Sequence, residues 1–82
     1  MNLYQFNRHN IQGRAALIWR QGIFFDFRDE GEYRIILHDM GNFYAELWYD
    51  ADMHHIKHVR GFRSLECLEP YLATIKLADM MV

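Results

Sequence analysis

From Ile23 the apolar pattern takes a period of two, and three turn signals divide the stretch 23–60 into strand-length pieces, which leaves few folds open. A period of two is the mark of a strand with one buried face. Ile23, Phe25 and Phe27 alternate with Phe24, Asp26 and Arg28. Asp29-Glu30-Gly31 follows, and Gly31 suits the positive-φ position of a three-residue hairpin loop. That loop pairs Arg28 with Glu32 and Asp26 with Arg34 on one face, and Phe25 with Ile35 and Ile23 with Leu37 on the other. Such cross-strand pairs favour a hairpin by a few tenths of a kcal/mol each. A second strand over about 32–39 runs into Met40-Gly41-Asn42, a third covers 43–49, and a fourth over about 54–60 follows the turn 50–53.

The middle hairpin has two possible registers. A three-residue loop sets Leu37 opposite Ala45 and Ile35 opposite Leu47, on the face that holds Phe25. A two-residue Gly41-Asn42 loop brings Tyr44, Glu46 and Trp48 there instead, because one residue of slip exchanges the faces. The first register is preferred because it keeps Glu46 out of the core.

Ahead of the strands the period is helical. Residues 1–9 read as a coil or short helical turn, and Asn10 is an N-cap for a helix over 11–21. Ile11, Ala15, Ile18 and Trp19 form its buried stripe. Gly13 weakens this helix by about 1 kcal/mol relative to Ala. Gly22 sits where a left-handed residue would stop it. At the other end Ser64 can cap a final helix that must accommodate Pro70. Either a short turn covers 64–68 and a helix starts at Pro70, or one helix is kinked there. Leu68, Tyr71, Leu72 and Ile75 share a face in both cases, and the stretch 77–82 is apolar enough to dock. The expected architecture is a single α+β domain over 1–82. It is a four-stranded antiparallel meander with the N-terminal and C-terminal helices packed on one face.

A chain of 82 residues has a thin core. Two Trp, five Tyr and six Phe exceed what such a core can hold, so some rings should lie on a second surface. Pairing of subunits is the commonest way to cover one. The preferred register collects Phe24, Ile36, Met40, Tyr44 and Trp48 on that surface, between Asp26, Arg28, Arg34, His38 and Glu46. Aromatics, Met and Arg are enriched at interface centres. The expectation is therefore a non-catalytic homodimer that binds another protein, with no cofactor.

Other chemistries are weaker. The net charge of −2 gives no global pull toward nucleic acid or anionic lipid, and no apolar run is long enough to span a membrane. No basic-then-apolar leader opens the chain, and the lone Cys67 excludes an intrachain disulfide, which together fit a cytoplasmic protein. Lys57, Arg60, Phe62 and Arg63 place positive charge beside an aromatic, the makings of a nucleic-acid adaptor. Arg60-Gly61-Phe62 resembles the first three positions of the RNA-recognition-motif signature. Arg63-Ser64 then depart from that signature, and the element order is not its βαββαβ. His54, His55 and His58, with Asp50 and Asp52, are candidate metal ligands. On a strand, though, His54 and His58 stand roughly 13 Å apart at about 3.3 Å per residue. Cys67 is a candidate nucleophile with one of these histidines as base, and Glu46 or Asp26 a candidate acid–base carboxylate. No glycine-rich phosphate loop is present, since the glycines punctuate separate turns.

Overall fold

The computed structural model describes residues 1–72. Ile75 and the stretch 77–82, expected to pack on the body, lie outside the described residues. The elements are α1 (Leu3–Asn7), α2 (Ile11–Gln21), β1 (Ile23–Glu30), β2 (Tyr33–Asp39), β3 (Tyr44–Tyr49), β4 (Ile56–Phe62) and a 3₁₀ turn, Leu65–Leu68, with helical residues at 69–72. The strands form one antiparallel sheet in the order β1-β2-β3-β4, the α+β meander that the periodicity predicts.

Local chemistry explains the helix ends. Asn2 and Gln5 close a capping box on α1: the Asn2 side chain accepts from the Gln5 N–H at 2.8 Å, and the Asn2 N–H donates to Gln5 Oε1 at 3.0 Å. Asn10 caps α2 as expected, accepting the Gly13 N–H at 2.8 Å. Gly22 does not turn left-handed. It is extended (φ −79°), and its N–H donates to the Ile18 carbonyl at 2.8 Å before the chain runs straight into β1. Glycine is needed there for space, because a Cβ would stand 2.7 Å from that carbonyl. Of the predicted stripe, Ala15 and Ile18 are buried while Ile11 and Trp19 are exposed. At the far end, Pro70 is accommodated by the turn-then-helix alternative. It falls in the first turn of the helical residues 69–72, where a missing N–H costs no helical bond.

Both predicted hairpin registers are corrected. The first loop has two residues, with Glu30 opposite Tyr33 and Gly31 (φ 59°) at the first loop position, which favours glycine in a II′ hairpin. Arg34 therefore pairs with Asp29, not Asp26, through Nε–Oδ1 at 2.7 Å and a terminal nitrogen on Oδ2 at 3.0 Å. Between β2 and β3, Ile36 faces Leu47 and Leu37 faces Glu46, the register that the preference for an apolar core rejects. The preference fails because Glu46 brings its partners with it.

The faces follow from this register. Ala45, Leu47 and Val59 point to one side and join Phe6, Ala15, Ile18 and Phe43 in an apolar core beneath α1 and α2. Ala45 and Gly61 are paired neighbours that leave a dent for α1: a Cβ on Gly61 would approach Phe6 to 2.9 Å. The opposite side carries Leu37, Tyr44, Glu46 and Phe62, and Leu68 and Tyr71 close over it. Among the described residues, α1 and α2 thus cover one face and the segment 65–72 the other, instead of sharing one.

A bulge in β1 completes the assignment. Phe24 pairs with His38 and Asp26 with Leu37, so Phe25 has no partner of its own in β2. The extra residue keeps Phe24 and Phe27, three apart, on the same side, opposite His38 and Ile36. Phe25 turns to the other side, its ring 5.8 Å from that of Tyr44.

Candidate functional site

Two places carry unusual chemistry. The first is Glu46, a fully buried carboxylate at the centre of the sheet. Arg60 donates to Oε1 from Nε at 2.9 Å and from a terminal nitrogen at 2.7 Å. The Tyr71 hydroxyl donates to Oε2 at 2.7 Å, and the Trp48 indole N–H to Oε1 at 3.2 Å. Arg28 stands 3.8 Å from Oε2, with its guanidinium over the rings of Trp48 (5.7 Å) and Tyr71 (5.3 Å). Burial, then the hydrogen bond to Glu46, pushes the Tyr71 phenol far above its ordinary value. Burial draws the Arg28 guanidinium down, but Glu30, Tyr71 and Glu46 outweigh it and the net shift is upward. Every close partner of Glu46 is a donor, so the carboxylate is occupied. Its work is to pin Tyr71, and with it the segment 65–72, onto the sheet.

The second place is the half of the sheet that α1 and α2 leave bare. Both helices pack mainly over β3 and β4. On the same side of β1 and β2, Phe24 is 61% exposed and Phe27 50%, with Ile36 half-buried between strands. Arg34 lies 5.1 Å over the Phe27 ring while bonded to Asp29. His38 meets Phe24 edge-on at 6.4 Å, and its Nδ1 is buried without a hydrogen-bond partner. The Arg34 guanidinium holds the exposed Asp29 carboxyl below the usual range.

The residues singled out from sequence are redistributed. Phe24, Ile36 and Met40 share the helix side, whereas Tyr44 and Trp48 belong to the carboxylate side. Arg60 is committed to Glu46, and Phe62 is buried, stacked on Tyr44 at 5.9 Å. Lys57 and Arg63 are exposed on either side of them. His58 packs edge-on against Trp48, while His54 and His55 border a groove with Ile11 and Trp19. His55 Nδ1 is 3.2 Å from Asp50, and burial acting against the N–H groups of His54 and His55 leaves the Asp50 carboxyl lowered overall. Among the described residues no three His, Cys, Asp or Glu side chains converge as metal ligands. Cys67 is a free thiol packed beside Leu37, Phe62, Leu68 and Tyr71. Asp26 accepts the N–H of Phe27 at 2.8 Å.

Sequence reading missed the Glu46 cluster and the placement of Phe27 beside Phe24 on the helix side. The one available signal for the first was a carboxylate at a position where the alternative register demands a core residue. No family model, curated protein or solved structure matches the chain. No helix among the described residues is long and apolar enough to cross a membrane.

Proposed function

We propose that this chain is a non-catalytic protein-interaction module of the cytoplasm whose working surface is the bare patch of Phe24, Phe27 and Ile36. The observation that carries the reading is the exposure of two neighbouring phenylalanines, 61% and 50%, on a sheet face whose other half is roofed. Exposed aromatics gathered on one face and edged by Arg are the makings of an interface centre. A lone free cysteine fits a reducing compartment, and a carboxylate saturated by donors fits a module without acid–base work. The test is the double substitution Phe24→Glu with Phe27→Lys. Retention on a hydrophobic-interaction column should fall while the thermal midpoint moves by less than about 4 °C, as for surface residues. A collapsed midpoint would make the two rings structural, and unchanged retention would make them idle; either ends the reading.

A further inference from the structure

We infer that the occupant of the Phe24–Phe27–Ile36 patch is a second copy of this chain, docked face to face about a two-fold axis that runs parallel to the strands between β1 and β2. The inference rests on the interaction-module reading and names its partner. Three observations lead to it.

The edge of β1 is closed to strand addition. It bulges at Phe25, the Asp26 carboxylate takes the Phe27 N–H at 2.8 Å, and Arg28, Asp29 and Glu30 charge its far end. Each is a known protection against backbone pairing. Contact must therefore be made by side chains on the face.

The face is complementary to itself. Asp29 pairs with Arg34, Phe27 with Ile36 and Phe24 with His38 across the β1–β2 ladder. A two-fold axis in the interface plane, midway between the strands, lays each β1 over the partner's β2 at the same height. Asp29 then meets the partner's Arg34, Phe27 the partner's Ile36, and Phe24 the partner's His38. Acid meets base, Phe27 meets an aliphatic side chain and Phe24 meets an imidazole, all at matching levels. Asp29 and Arg34 are 57% and 45% exposed, so both can reach outward. Aligned packing of two sheets, staggered by their twist, is a common way to cover such faces.

The shape also interlocks. Each copy has a step, because α1 and α2 stand mainly over β3 and β4, with only the end of α2 reaching His38 and Met40, while Phe24, Phe27 and Arg34 are exposed. The same axis sends the partner's β3 and β4 out beyond the edge of β1, so the helices of one copy stand beside the partner's β1 and do not collide with its helices.

The test is a charge exchange read by light scattering at micromolar concentration, with circular dichroism to confirm folding. The wild-type chain should be a dimer. Asp29→Arg alone and Arg34→Asp alone should each weaken it by about tenfold or more, because like charges then face one another. An equimolar mixture of the two variants should recover the dimer, as all-positive meets all-negative. A wild-type monomer, a dimer indifferent to Arg34→Asp, or a mixture that stays apart would each overturn the inference. A monomer whose hydrophobic retention still falls with Phe24→Glu and Phe27→Lys would remove the second copy and keep the interaction surface.

Discussion

Glu46 and Leu47 are neighbours in β3, both essentially fully buried, and they face opposite sides of the sheet. Under Leu47 the surroundings are apolar: Phe6, Ala15, Ile18, Phe43, Ala45 and Val59. Over Glu46 they are directional: two guanidiniums, a phenol and an indole N–H. Trimming an apolar side chain costs stability in proportion to the area and void it leaves. Removing one member of a buried ionic cluster leaves the other charges without compensation, so the damage is not graded. The two sides of one strand thus reach the same burial by different physics, and substitution should separate them.

The largest effect is expected from Glu46→Ala, about 4 kcal/mol of stability, since it strands Arg60 and the Tyr71 hydroxyl together and leaves Arg28 with Glu30 alone. Leu47→Ala should cost about 3 kcal/mol, a methylene and cavity penalty without electrostatics. Urea denaturation of both measures the comparison. If the glutamate variant proves the milder of the two, the ionic side is a decoration and not a support. A sharper version adds Arg60→Ala to each variant. Coupling should exceed about 1 kcal/mol with Glu46 and vanish with Leu47, which lies on the other face.

Tyr71→Phe comes next, at about 1.5 kcal/mol, the worth of one hydrogen bond to a charged acceptor. Its signature is regional. Amide exchange should quicken in residues 65–72 and stay unchanged in α2, because only the carboxylate side uses that hydroxyl. Equal acceleration on both sides would mean that the hydroxyl braces the whole core and not one segment.

The same contrast explains what the sequence could and could not tell. Element order, the Asn10 cap and the glycine at positive φ in the first hairpin are local matters, and each is written in a few adjacent residues. Register is not local. Glu46 looks like a residue to be kept outside until Arg28, Arg60 and Tyr71, each from a different element, arrive around it. The bulge at Phe25 has no mark of its own in Phe24-Phe25-Asp26-Phe27, yet it decides that Phe24 and Phe27 share a face. Of the five residues expected to share one surface, Phe24, Ile36 and Met40 do, Tyr44 and Trp48 lie on the other side, and Phe27 joins the first three. Alternation alone assigns residues to faces only where no bulge intervenes.

The smallest expected effect distinguishes the sides by pH. On the helix side His38 lies against Phe24 and Gly22, with its Nδ1 buried, and the Ile36 backbone gives the ring only a weaker, opposing interaction. Burial holds its proton affinity below the ordinary histidine value. The unfolded chain therefore takes up a proton near pH ~6.5 while the folded chain still resists one. Between the two pKa values the unfolded state binds more protons, so stability present above that pH is lost as the pH falls through the folded value. Denaturation midpoints taken from neutral pH downward should show this loss, and His38→Gln should flatten it without touching the Tyr71 effect. An unaltered slope in that variant would assign the acid sensitivity to another group and leave the helix side without a titrating element.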